Sequence, residues 1–202
     1  MPRRPGQSRR RARRDVLRTA RAMASSGLVT GSSGNVSQRF GDGFLITPAG
    51  IAYDHLASRQ IVRLDAEGTK TSGRWEPSSE WRLHIAIYRD RPDVEAIVHT
   101  HSVHATAASL VATELPVGHD EGRLLFGERI SVSQHAPPGT WDLVRAVVRA
   151  LGEARGALIA RHGVVAVGRT VDEALEIAIK IDEAARLIRL ARQLDTPRAG
   201  AS

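Results

Sequence analysis

Between Ala96 and Leu110 the chain reads AIVHTHSVHATAASL, an apolar run that belongs in a core and yet carries His99, His101 and His104. Burying a polar ring without a partner costs free energy, so any fold of this chain must bring partners to these imidazoles. Along a strand, residues i and i+2 share a face, which sets His99 and His101 side by side and turns Thr100 away. Two imidazole nitrogens at that spacing can grip one metal ion, and a catalytic site then needs a third protein ligand and an open position. His162 is the best third candidate, because GALIARHG is again an apolar strand-type run, ending in a histidine before a glycine turn. His104 falls at the start of the next helix and points elsewhere. The plain alternative is a set of hydrogen-bonded core histidines with no ion. The chain has no cysteine, so a transition-metal site has to come from histidine and carboxylate.

Around this run the periodicity switches repeatedly between helix and strand. The spacing predicts a helix over residues 12–26, with Val16, Leu17, Ala20, Met23 and Ala24 on one face and Gly27 as its stop. A loop rich in Gly and Ser leads into a strand, Asp42-Gly43 reads as a hairpin turn, and FLIT is the returning strand. Pro48-Ala49-Gly50 marks a turn, and IVRLD (61–65) a further strand. PSSEWRLHIAIYRD opens a helix near Ser78 or Ser79, with Glu80 in its first turn. Residues 103–112 look helical and ISVSQ (130–134) extended. Thr140 caps a helix striped by Leu143, Val144, Val147, Val148 and Leu151. GALIAR and VVAVG are two strands around His162-Gly163, and Thr170 and Glu173 form a capping box for a last helix to about Asp195, with Pro197 beyond it. With 202 residues, 42% of them apolar, this predicts one α/β domain.

The net charge of +7 invites a nucleic-acid reading, but residues 1–14 carry seven arginines and no acid, which accounts for all of it. The expected organisation is a disordered basic tail over 1–14, a domain over 15–196 and a short tail over 197–202. Nucleic acid is therefore not an expected partner. No apolar run is long enough to span a membrane and no signal-peptide pattern opens the chain, so the expected location is cytoplasmic.

Three other stretches carry chemistry. Acids are common in the first turn of a helix, where they face the positive end of its dipole, so Glu80 is either a routine first-turn acid or a general acid/base near a metal. Ser78 and Ser79 are either N-caps or, with the free N–H groups of that helix start, part of an anion site. Ser33-Gly34-Asn35 is either a turn or a loop whose backbone N–H groups approach a phosphate.

The stretches SSGNVSQRF, FLITPAG, PSSEWRLHIAIYRDRPDVEAIVHTHSVHATA, LPVGHDEG and ARHGVVAVGRTVDEAL together resemble the class II aldolase/adducin family, in family order over nearly the whole chain. The resemblance implies an αβα three-layer sandwich around a largely antiparallel sheet. It implies His99, His101 and His162 as metal ligands, with one zinc ion per subunit and Mn2+ or Co2+ as substitutes. Glu80 becomes the acid/base, and in the resting enzyme also touches the metal. Gly34 and Asn35, Ala49 and Gly50, and Ser78 and Ser79 fall where the family binds the substrate phosphate. The assembly implied is a homotetramer with sites near subunit interfaces.

The activity implied is aldol cleavage of a ketose 1-phosphate, L-fuculose 1-phosphate or a related deoxy-pentulose 1-phosphate, to dihydroxyacetone phosphate and an aldehyde. Three departures bear on the substrate. Ala49 stands where the fuculose-phosphate members carry a hydroxyl. Asp120, after His119, stands where they carry a tyrosine at the aldehyde end, which makes His119 and Asp120 the candidates for that end here. Their longer C-terminal tail, with its own tyrosine, has no counterpart. The alternatives within the same chemistry are a metal-dependent decarboxylase of 3-keto sugar-acid phosphates and a pentulose-phosphate 4-epimerase, which carries Asp in place of Glu80. A dehydratase of methylthioribulose phosphate and a non-catalytic module on the same fold stand further off.

Overall fold

In the computed structural model, which describes residues 8–195, seven strands among the described residues form one sheet in the order β4-β3-β2-β1-β5-β9-β8. They are β1 (Asn35–Phe40), β2 (Gly43–Ile46), β3 (Val62–Leu64), β4 (Lys70–Ser72), β5 (Ala96–Thr100), β8 (Gly156–Ile159) and β9 (Gly163–Gly168). Every pairing is antiparallel. The remaining two strands, β6 (Glu114–Pro116) and β7 (Arg129–Ser131), pair apart from it.

Helices cover both faces, so β2, β5, β8 and β9 read as nearly continuous apolar runs. On one face α1 (Arg9–Ser25), α3 (Val103–Val111) and α6 (Val171–Asp195) pack on Val36, Leu45, Ala96, Val98, Val164 and Ala166. On the other, α2 (Trp81–Asp90) and α5 (Trp141–Leu151) pack on Phe44, Ile46, Ile97, Val165 and Val167. The period of two along each strand sorts neighbours into the two cores. This is the three-layer α/β sandwich around an antiparallel sheet. No helix among the described residues is long and apolar enough to cross a membrane.

Several elements differ from the expectation. The first helix starts at Arg9, so Arg9–Arg14 are helical and not tail. Ser8 caps it by accepting the N–H of Arg11 at 3.3 Å, arginine favours helix, and Ala12 begins the buried stripe of Ala12, Val16, Ala20 and Met23. Residues 1–7 and 196–202, which hold the rest of both tails and the Pro197 stop, lie outside the described residues.

The first hairpin turns at Gly41-Asp42, because Phe40 pairs with Gly43. Gly41 supplies the left-handed φ of +65°. Gly43 is needed inside the strand instead, since a Cβ there would lie 2.0 Å from the Leu64 carbonyl oxygen. Helix α2 starts one residue after Glu80, which makes Glu80 its N-cap and not a first-turn residue. The strand expected over 130–134 is only Arg129–Ser131, followed by a parallel bridge from Val132 to Leu158. Strands β4 and β6 and the helix α4 (Asp120–Phe126) were not expected. Each is short and half-exposed, with too few residues to show a period. Glu173 reaches back to the N–H of Arg169 at 2.8 Å, one residue before the expected cap.

Candidate active site

The centre of the sheet positions the histidines. Strand β5 lies between β1 and β9, with Asn35 opposite His99 on one side and Val165 on the other. His99 therefore sits fully buried, on the same face as Ile97, toward α2. His101 follows one residue past the strand end. His162 comes from the three-residue turn between β8 and β9, where Arg161 takes a left-handed φ of 60°. Hydroxyls hold that strained turn in place. Ser133 accepts the N–H of Ala160 at 3.2 Å, Ser109 accepts the N–H of Arg161 at 3.0 Å, and Thr106 donates to the His162 carbonyl at 3.4 Å.

Gly163 explains the His-Gly pair in the sequence. A Cβ on it would lie 2.0 Å from the Thr100 carbonyl oxygen and 3.2 Å from the Cα of His101. Only glycine lets β9 begin this close to β5 and so brings His162 to His101. Gly163→Ala is expected to part the two strands at this end. Stability should fall by about 3 kcal/mol and metal affinity by at least about tenfold. Denaturant unfolding of the apoprotein and a metal titration check this; a variant unchanged in both would refute the tight fit.

The sandwich brings together one ligand atom each from Glu80, His99, His101 and His162, all within 4.8 Å of one another. Glu80 Oε2 lies 2.9 Å from His99 Nε2, and Oε1 lies 3.5 Å from His162 Nε2. His99 Nδ1 is 2.8 Å from the Val164 carbonyl, which keeps a proton on Nδ1 and aims Nε2 into the cluster, where it donates to Glu80 when protonated and can ligate an ion when it is not. His99 Nε2 and His101 Nε2 approach to 3.0 Å. Glu80 Oε1 is buried without a hydrogen-bond partner among the described residues. Three imidazole rings and a buried carboxylate thus face one point, and such a donor set suits a divalent transition metal. The residues present fit such an ion.

The electrostatics agree. Burial pushes the Glu80 carboxyl up, but His99, by charge and hydrogen bond, with His162 and His101 behind it, holds it well below the usual carboxylate range. Burial lowers His99, and Glu80 more than reverses this. Burial and the neighbouring His99 and His162 push His101 down to about 4. Burial and His99 likewise lower His162. The cluster attracts positive charge while most of its rings resist carrying a proton.

The expected phosphate residues fall on three segments. Gly34, at φ +70°, passes so close to β5 that a Cβ would lie 2.5 Å from the His99 carbonyl oxygen, and Tyr53 donates to the Gly34 carbonyl at 2.6 Å. Ala49-Gly50 and Ser78-Ser79 are laced together: the N–H of Ala49 donates to Glu76 and that of Ser78 to Thr47. Ser78 Oγ accepts the N–H of Glu80 at 3.3 Å, so this serine serves the helix start. Ser79 and Gly50 are exposed. Asn35 is buried, and its amide donates to Glu80 Oε2 at 3.0 Å. His119 caps α4 with Asp120 as its first residue; both stand outside the four-donor cluster, as does His104 in α3.

Four polar residues in or beside this site escaped the sequence reading: Ser37, Tyr53, His84 and Tyr88. For Ser37, His84 and Tyr88 the signal was present. Glu80, His84 and Tyr88 recur every four residues, one helix face, and Asn35 and Ser37 alternate on the strand that meets it.

The model of the Class II Aldolase and Adducin N-terminal domain family matches residues 14–188. The chain is 38% identical over 179 residues to the L-fuculose phosphate aldolase of Escherichia coli K12, spanning 89% of this chain and 83% of that protein. It is also 38% identical over 181 residues to the 5-methylthioribulose-1-phosphate/5-deoxyribulose-1-phosphate aldolase of Rhodospirillum rubrum, spanning 90% and 81%. A solved L-fuculose 1-phosphate aldolase superposes with a TM-score of 0.87 at 28% identity, covering 92% of this chain and 88% of that one. A shared fold, a family match over nearly all of its length and this degree of identity make the chain a member of the class II aldolase and adducin N-terminal domain family.

Proposed function

We propose that this protein is a metal-dependent carbon–carbon lyase that cleaves a ketose 1-phosphate reversibly to dihydroxyacetone phosphate and an aldehyde. The observation that carries this reading is the convergence of Glu80, His99, His101 and His162 within 4.8 Å. His99, His101 and His162 would hold the ion, with zinc suited to three imidazoles, and Mn2+ or Co2+ as substitutes. Such an ion, bound by neutral ligands, supplies Lewis-acid stabilisation of the negative charge that develops on the substrate oxygens as the C3–C4 bond breaks.

The chain's own residues do the rest. Glu80, kept ionised, takes a proton from C3 of the three-carbon fragment in synthesis and returns it in cleavage. Asn35 orients that carboxylate. Gly34, Asn35, Ala49, Gly50, Ser78 and Ser79 receive the substrate phosphate and so hold C3 in register with Glu80. Ala49 offers no hydroxyl, and its N–H donates to the Glu76 carbonyl, which leaves the phosphate one donor fewer; it is the carboxylate of Asp120 at the aldehyde end, in place of a tyrosine, that favours a deoxy-pentulose 1-phosphate over L-fuculose 1-phosphate.

His119 and Asp120 line the aldehyde end in the homotetramer of this reading. Large apolar side chains exposed nearby in sequence, Val103, Leu110 and Val111 on α3 and Leu124 on α4, support a surface that another copy covers.

The test is release of dihydroxyacetone phosphate from a panel of ketose 1-phosphates, with and without a chelator, read by coupled glycerol-3-phosphate dehydrogenase. Release that the chelator abolishes is expected, and the best substrate identifies the aldehyde. No release from any of them with metal bound would sink the aldolase and leave decarboxylation of 3-keto sugar-acid phosphates to be tried.

A further inference from the structure

A line of buried hydrogen bonds runs from the middle of α2 to the candidate acid/base. His84 is fully buried. Its Nε2 meets Asn35 Oδ1 in a short hydrogen bond, and its Nδ1 lies 2.6 Å from Ser37 Oγ. Ser37 Oγ lies 2.7 Å from the Tyr88 hydroxyl. Asn35 Nδ2 closes the line on Glu80 Oε2.

The direction of every bond in this line follows from its end. An ionised carboxylate only accepts, so Asn35 must turn its NH2 to Glu80 and its carbonyl to His84. A carbonyl only accepts, so His84 must carry its proton on Nε2. The Nδ1 lone pair then takes the Ser37 hydroxyl proton, and Ser37 in turn accepts from Tyr88. Burial keeps the Tyr88 phenol protonated by pushing it up. With the other tautomer of His84, the Asn35 amide would flip and set its carbonyl against the Glu80 carboxylate, acceptor to acceptor.

We propose that His84 is a positioning residue: its single tautomer, set by Ser37 and Tyr88, fixes the Asn35 amide and through it the orientation of the Glu80 carboxylate for proton transfer. The inference rests on the reading of Glu80 as the proton carrier.

Two substitutions of similar size separate positioning from packing. In H84Q the amide NH2 falls near the Nε2 position and can still donate to Asn35. In H84N the amide falls near the Nδ1 position and cannot reach it. With the best ketose 1-phosphate of the panel, H84N is expected to lose kcat by about 10–100-fold, with metal per chain unchanged and a much smaller change in KM through the place of Asn35 in the phosphate site. H84Q should recover most of that loss. On an N35A background H84N should cost nothing further, since its effect travels through Asn35. Equal losses in H84N and H84Q, or an additive loss on N35A, would overturn the proposal.

A readout on the unaltered metal-loaded protein stands apart from both variants and from the choice of reaction. The 15N signals of His84 at neutral pH should report a proton on Nε2 and none on Nδ1. A proton on Nδ1 would overturn the proposal even if the variants fail to fold. If no panel member is cleaved yet the Nε2 proton is found, the aldolase reading alone has failed.

Discussion

His101→Ala is expected to abolish both metal retention and turnover while leaving the apoprotein folded. His101 is half-buried and packs edge-on against the other two rings, with centroids 4.8 Å from His99 and 4.7 Å from His162. Removing it leaves two imidazoles and Glu80, below the three protein ligands of a catalytic site unless Glu80 is tied up as a ligand. Either way the Lewis acid or the base is lost. Turnover should fall by at least about 10³-fold, more than the loss of one oxyanion donor costs. Stability tells loss of the site from unfolding. The ring sits among nitrogens that repel it when no ion is present, so the apoprotein Tm should stay within about 2 °C of the parent. The rise in Tm on adding metal should vanish, because that rise measures binding to the folded state. Metal per chain after dialysis, thermal unfolding with and without metal, and triose-phosphate release check this. Full metal occupancy in the variant would count against the ligand assignment.

Glu80→Gln should behave in the opposite way with respect to the metal. The three histidines remain, and the amide fills the space of the carboxylate, so the metal stays. The group that exchanges a proton with C3 is gone, and kcat should drop by about 10²–10⁴-fold, the usual contribution of a positioned acid or base. KM should move little, since the phosphate segments are untouched. The effect on stability is mixed. A carboxylate held far below its usual range by His99 contributes stability at neutral pH that the amide cannot. Unchanged turnover with metal bound would remove Glu80 from the chemistry.

Much of the site was legible because its signals are local. A histidine pair at i and i+2 on an apolar strand, and another histidine ahead of a glycine at a strand end, are patterns that short-range geometry imposes. The periodicity alone predicted one α/β domain; the sandwich came from the resemblance to the family, and the structure shows helices on both faces of the sheet. Less was legible where structure depends on partners far along the chain. The Gly41-Asp42 turn followed from the demand for a side-chain-free residue at position 43 against Leu64, 21 residues on. The Ser37, His84 and Tyr88 chain went unread because the four-residue spacing of Glu80, His84 and Tyr88 is also that of any buried helix face and does not say which strand it meets. The start of the first helix at Arg9 was hidden by composition, since a run of arginines reads as a solvated tail until Ala12 is seen to be buried.

The sequence by itself determined which atoms can bind and react here: three imidazoles, one carboxylate, no thiol, and the glycines that allow close approach. Those are properties of side chains and short spacings, and no fold can alter them. Only the tertiary structure decided that the donors converge. His99 and His162 are 63 positions apart, and Glu80 sits at the N-cap of α2 with its side chain turned to the histidines rather than capping the helix. What joins them is the antiparallel pairing of β5 with β9 and the seating of α2 on the face that His99 shares. Convergence of this kind is set by which apolar faces pack together, a long-range balance that local patterns do not encode.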